Sequence, residues 1–264
     1  MLSVLRKQFS AILVFFLIVQ GLLMVRMSIA SDVREPENRA SIMLRHIDDL
    51  WRGESSHSLF SMNIRTARYS RTLRLEGWSL GTDLTLVRIL APKKEQGVSS
   101  LKSGKHLYTY LPRVDRTIRL TSSMMMGSWM GSHFTNDDLV QESRREEDYN
   151  IAISYEGERD QQAIIEFTLM PKPNAVVVWG KVVLVILADS LLPLSEIFYD
   201  EDLVQTRKIV FSDFKKLGGE IRPATLRVIP SDKPNEFTEI TYQLLDFGVP
   251  LEDNFFSLGQ LKRR

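Results

Sequence analysis

The residues able to carry covalent chemistry do not converge on one another. Four histidines, His46, His57, His106 and His133, are scattered with none of the spacings that hold zinc, so each reads as a surface or satisfied structural side chain. Gly127-Ser128-Trp129-Met130-Gly131 has the bounding glycines of a nucleophile elbow, but Trp129 stands where that motif needs serine. Asp137 and Asp138 are adjacent, so their side chains diverge, and a place at a helix N-terminus accounts for both. No phosphate loop or dinucleotide fingerprint is present, and nothing calls for a cofactor or a metal. Enzymatic chemistry therefore has no positive support. Arg65, Arg68, Arg71 and Arg74 recur every third residue. They read as a solvated hairpin face, with contact to anionic headgroups or an acidic partner as the alternative. The mixed run Arg144–Asp148 nearly cancels its own charge and reads as surface.

What stands out instead is soft and apolar. Thr121–Leu139, TSSMMMGSWMGSHFTNDDL, has four methionines, a tryptophan and a phenylalanine but no β-branched run. Met124, Met125, Met126 and Met130 are flexible thioethers that adapt to irregular apolar partners. Thr135 precedes Asp138 by three residues, the spacing of a capping box for a short helix entering at Asn136. Two readings stand: a connector packed on the core, or an adaptable lid over an apolar ligand.

Elements able to position such a stretch lie on both sides of it. Glu35–Arg52 places Ala40, Met43, Ile47, Leu50 and Trp51 at three- to four-residue spacing, one apolar helix stripe, with Pro36 in the first turn and Gly53 at the stop. From His57 the period becomes two. Strands are expected at Phe60–Ile64, Leu73–Trp78, Asp83–Leu90, around Leu101, and at His106–Leu111 and Thr117–Leu120. After the methionine-rich stretch they resume near 150–155, 163–169, 176–178, 181–187, 194–199, 204–211, 222–229 and 236–245. The apolar run Ala175–Ala188 is too short for a membrane helix and reads as a buried hairpin or two successive strands. Asp253–Gln260 reads as a short closing helix. The fold class is thus mainly β, a large, strongly curved antiparallel sheet with one long helix and a few short ones. Such a sheet with helices on its concave side can leave an apolar cavity.

The ends and the composition narrow the setting. Arg6 and Lys7 precede the apolar run Ala11–Val25, and Ser28-Ile29-Ala30 offers small residues at −3 and −1, so residues 1–30 read as a signal peptide cleaved after Ala30. An uncleaved N-terminal anchor is the alternative. Residues 31–264 are expected to form one domain, since no linker or repeat divides them. The formal net charge is +1, and loss of residues 1–30 removes three basic residues and no acids. A near-neutral chain argues against nucleic acid as the partner. With no cysteine, the exported protein must stand on its core without disulfides. A periplasmic location follows as the expectation.

Several segments carry a family likeness: IMLRHIDDLWRGESS (42–56), APKKEQG (91–97), HLYTYLPRVDRTIRL (106–120), MGSHFTNDDL (130–139), LPLSEIFYDED (192–202), FSDFKKLGG (211–219) and NFFSLGQLKR (254–263). In order and spacing the chain resembles the LolA-like outer-membrane lipoprotein-sorting proteins over nearly all of residues 31–264. One departure is His133, where that pattern leads one to expect an acidic residue. The resemblance implies an unclosed antiparallel β-barrel, helices over its mouth, and an apolar cavity that shelters acyl chains in the periplasm. It places Thr121–Leu139 among the covering elements and so favours the lid. The expected cavity or lid residues are Ile47, Trp51, Trp78, Leu84, Leu86, Met124, Met125, Met126, Trp129, Met130 and Phe134. The expected partners are lipid or lipoprotein acyl chains, with an inner-membrane transporter as donor and an outer-membrane acceptor. A non-enzymatic envelope scaffold, or an accessory subunit of a membrane transporter, is the alternative from a different class.

Overall fold

In-phase alternation dominates the chain from Ser55 onward, and the computed structural model turns it into a single sheet. The structure describes residues 35–49, 53–141, 145–175 and 177–263. The expected signal peptide, Trp51 and Arg144 lie outside the described residues. The first meander comprises β1 (Ser55–Arg65), β2 (Ser70–Leu80), β3 (Leu84–Ala91), β4 (Ser99–Ser103), β5 (His106–Leu111) and β6 (Arg116–Arg119). The second comprises β7 (Tyr149–Arg159), β8 (Gln162–Pro171), β9 (Lys181–Leu187), β10 (Pro193–Tyr199), β11 (Gln205–Leu217), β12 (Glu220–Pro230) and β13 (Phe237–Phe247). Within each meander neighbours in sequence are neighbours in space. The two meanders join where β1 pairs antiparallel with β13, from Ser56 opposite Phe247 to Arg65 opposite Phe237. The result is one thirteen-stranded sheet in the order β6-β5-β4-β3-β2-β1-β13-β12-β11-β10-β9-β8-β7. Its edges, β6 and β7, do not pair, so the barrel is not closed.

Residues 120–148 run from one edge strand to the other. They hold short 3₁₀ turns at Ser122–Met124 and Trp129–Gly131, then α2 (Asn136–Gln141) and α3 (Arg145–Asp148). The methionine-rich stretch is therefore the covalent bridge across the opening. The expected capping box is present. The Thr135 Oγ1 accepts from the Asp138 backbone N–H at 3.2 Å, and the Asp138 carboxylate accepts from the Thr135 N–H at 2.7 Å.

The long helix α1 (Glu35–Asp49) lies on the inner face of the second meander. Ala40, Leu44 and Ile47, spaced four and three apart, are buried against Ile151, Phe167, Leu184 and Phe211. Arg39 ties the helix to β7 through a two-pronged bond to Glu156, at 2.8 and 2.9 Å. A second inner cluster joins Phe60, Met62, Ile64, Leu73 and Leu75 to Trp129. The outer face of β2–β5 is covered by the C-terminal segment, where the expected closing helix is a 3₁₀ turn, Asp253–Phe255, followed by α4 (Leu258–Leu261).

One expected strand is corrected. Val177 and Val178 are not in a strand, and Val176 lies outside the described residues. Strand β8 already pairs with β7 on one side and β9 on the other, so no ladder position is left for a further strand after it. The described residues on either side of Val176, 172–175 and 177–180, are loop, and Val177 and Trp179 pack on the inner cluster.

Candidate functional site

Between the sheet, the end of α1 and the bridging segment lies a cavity of about 320 Å³. Its sheet wall follows one phase of the strands. Ser56 and Ser58 of β1 sit opposite Ser79 and Gly77 of β2, which in turn face Thr85 and Val87 of β3. On the second meander Leu169, Val182, Phe198, Ile209 and Phe211 supply apolar wall. The 172–180 loop adds Val177 and Trp179, and the bridging segment adds Trp129, Phe134 and Leu139. Trp129 is 4% exposed, and its indole N–H donates to the Ser100 hydroxyl at 3.1 Å.

The bridging segment is held at the sheet rim by polar contacts. Met130 and Gly131 take left-handed backbone angles, φ 49° and 70°. For a methionine that conformation costs about 1–2 kcal/mol. The turn is fixed by the Arg71 guanidinium donating to the Met130 carbonyl and by the Tyr69 hydroxyl donating to the Gly131 carbonyl at 2.9 Å. Next along, the His133 backbone N–H donates to the Thr238 hydroxyl at 3.0 Å, and its ring contacts Thr238 and Glu236 at 2.9 and 3.2 Å. The Ala67 backbone N–H and the His133 side chain hold the Glu236 carboxyl below the usual carboxylate range.

Inside the cavity an ionic band interrupts the apolar wall. Arg207, 5% exposed, grips Asp138 of α2 through two bonds of 2.7 and 2.6 Å. Its guanidinium lies over the rings of Phe198 and Trp179, 4.4 and 4.6 Å from their centroids. Arg145 donates to Glu196 at 2.8 Å. The expectation that 144–148 is surface therefore fails at Arg145, which turns inward to answer a glutamate that is 4% exposed. Tyr149 also lines the cavity, and burial pushes its hydroxyl up to about 12, so it stays protonated as a donor. Among the described residues no cluster of His, Cys, Asp and Glu could hold a metal.

The expected site residues divide by face. Ile47, Trp78, Trp129 and Phe134 line the cavity. Trp78 borders the cavity near the end of β2, while its ring stacks on His57 and meets Phe255 on the outer face. Leu84 and Leu86 belong to that outer cluster with Leu101, Phe256 and Leu261. Met130 packs beside Trp129, while Met124 and Met126 are 42% and 50% exposed and Met125 is half-buried, none of them on the cavity wall. Sequence reasoning missed Arg207, Glu196 and Arg145. A signal was there for two of them: Arg207 is in phase with Ile209 and Phe211, and Glu196 with Phe198, charges set among inward apolar residues.

A curved, unclosed sheet with a long helix inside it and a covering segment across the gap is a LolA-like fold. A family model described as "Uncharacterized protein" matches residues 81–263, more than half of the chain, and the protein belongs to that family. Among solved structures, a DUF1329 family protein from Desulfovibrio piger superposes with a TM-score of 0.76 at 22% identity, covering 86% of this chain and 99% of that one. A protein described as an outer membrane lipoprotein-sorting protein domain, from Vibrio parahaemolyticus, gives 0.73 at 23%, covering 86% and 100%. A LolA superfamily protein from Nitrosomonas europaea gives 0.71 at 20%, covering 84% and 98%. These likenesses establish the fold. No curated protein matches the chain.

Proposed function

We propose that the protein is a periplasmic carrier that takes acyl chains of lipoproteins or other lipids into its cavity, using no covalent chemistry. The observation that carries this reading is the cavity itself: a largely apolar space between sheet and helix, closed by a segment that belongs to neither edge strand's ladder. Its volume of about 320 Å³ is at the lower end of pockets that hold small ligands, roughly 300–1,000 Å³. Burial would supply about 0.8 kcal/mol per CH₂. Chain beyond the cavity meets the outer part of the cover, where Met124 and Met126 stand half-exposed and adaptable. Release needs only a shift of the cover, biased by an acceptor that competes for the chain. A donor at the inner membrane and an acceptor at the outer membrane fit this cycle, with residues 31–264 as the mature domain.

The test is native mass spectrometry of protein gently purified from its own envelope, together with displacement of a fluorescent fatty acid. Co-purified lipid and saturable binding are expected. Absence of both sinks the carrier. A second reading draws on the Arg207–Asp138 and Arg145–Glu196 pairs, which fill part of the interior with the protein's own side chains. It makes the protein an envelope scaffold or an accessory subunit of a transporter. A crosslinked protein partner with no lipid would favour it.

A further inference from the structure

Alternate turns of an antiparallel meander share one end of the sheet. In the first meander these are the turns at 66–69, 92–98 and 112–115. They are fastened side by side. Arg71 donates to Glu95 at 2.9 Å between the first two, and Gly97 and Pro112 line one shallow cup between the second two. At this rim Arg65, Arg68, Lys93, Lys94, Arg113 and Arg116 are all exposed, and none forms an ion pair or side-chain hydrogen bond among the described residues. The nearby acids are already engaged: Glu95 by Arg71, Asp115 by the Tyr110 hydroxyl at 3.0 Å, Glu236 by Ala67 and His133. Lys93, Lys94 and Arg113 surround one shallow cup with no acidic member.

The whole chain carries a net charge of only +1, so six unanswered cations on three adjoining turns and the strand ends beside them are a local concentration rather than a general basicity. The turn at 200–204, in the other meander, carries Asp200, Glu201 and Asp202. Apolar surface stands among the cations: Val114 is 67% exposed, and Tyr69 is 44% exposed along its ring while its hydroxyl is held by Gly131. Cations interspersed with exposed apolar and aromatic tips suit the boundary between headgroups and acyl chains, where the cations meet phosphates and the tips enter the layer. An acidic protein face would answer the cations but leave Val114 without a partner.

We infer that this rim is a docking surface for an anionic phospholipid membrane. The surface adjoins the cover, because Tyr69 and Arg71 of the same rim hold the Met130–Gly131 turn. Docking therefore sets the cover against the membrane. The inference does not depend on the cavity holding acyl chains, and its test reads vesicles rather than lipid uptake.

The experiment uses residues 31–264, which contain every described element, in co-sedimentation with vesicles of phosphatidylglycerol and phosphatidylethanolamine, and with vesicles of phosphatidylcholine alone. Binding to the anionic vesicles is expected, weakening as salt rises from about 50 to 500 mM. Each cation near such a surface is worth roughly fivefold in partitioning, so the variant Lys93→Gln/Lys94→Gln/Arg113→Gln should bind on the order of a hundredfold more weakly. Lys215→Gln/Lys216→Gln, at the opposite end of the sheet, should bind as the parent does. Equal binding to both vesicle types, or equal loss in the two variants, overturns the inference. Competition by millimolar inorganic phosphate at constant ionic strength also overturns it, in favour of a discrete phosphate site. Retention on polyglutamate with no vesicle binding assigns the rim to an acidic protein instead.

Discussion

Replace Arg207 with methionine and the Asp138 carboxylate keeps its charge but loses both guanidinium bonds. Breaking a buried ion pair from one side costs about 3–5 kcal/mol. Asp138 is 19% exposed and still accepts from the Thr135 N–H, which places Arg207→Met near the lower end, at about 3 kcal/mol. Asp138→Asn strands the more deeply buried partner. The Arg207 side chain is 6% exposed and its Nε already lacks a partner among the described residues, so this change should approach about 5 kcal/mol. The double variant leaves no uncompensated charge. It should cost only about 2 kcal/mol, from the weakened cap and lost packing over Trp179 and Phe198. Urea unfolding read by tryptophan fluorescence and by circular dichroism supplies the four stabilities, provided the slopes agree. If the two single effects simply add in the double variant, to within about 0.5 kcal/mol, the pair is not coupled and Asp138 acts only as a cap.

Trp129→Ala should destabilise by about 3–5 kcal/mol, and Ser100→Ala by about 1 kcal/mol through the lost indole bond, both checked by denaturant melts. Serines at Met124, Met125 and Met126 should change stability by no more than about 0.5 kcal/mol at each exposed position, while weakening binding of a long fatty acid more than a short one in a displacement titration. Equal loss of binding and folding would return the stretch to ordinary core. A Cβ on Gly180 would collide with the Asp200 carbonyl oxygen, so Gly180→Ala should lose about 1–3 kcal/mol and lower the melting temperature. Glu236 has a depressed carboxyl, so its contribution is present above the ordinary carboxylate range and is lost as pH falls through its lowered value. Glu236→Gln should therefore lower stability at neutral pH, match the parent once Glu236 is protonated, and so flatten the acid limb of a stability-versus-pH curve.

The pattern of period-two alternation and β-branched content announced every described strand, because a half-buried strand writes its two faces into the sequence and a fully buried one its composition. It also announced one strand too many. Val176–Val178 has strand-like composition, but whether a ladder position exists for it depends on β7 and β9, which the local sequence does not encode. The capping box at Thr135 was legible because both partners lie within one turn. The division of Trp78, Leu84 and Leu86 from Gly77, Thr85 and Val87 was not. Both phases of β2 and β3 are buried, one by the bridging segment and one by the C-terminal segment, so hydrophobicity could not say which was concave. Arg145 was misplaced for a related reason: its partner Glu196 is fifty-one residues away, and charge patterns read locally see only neighbours.

The pairing of β1 with β13 has a consequence for how the molecule comes together. Each meander is built from hairpins that close over a few residues and can zip early. The seam between them joins the first strand to the last, so it cannot form until the final hairpin is present, and it carries the longest loop closure in the chain. Until then the two half-shells hinge about the single segment that later spans the opening. Cutting the chain within residues 120–148 and joining the old termini would move that hinge to the seam. Such a permutant should fold faster, because its longest closure becomes local, yet leave the mouth without a tether.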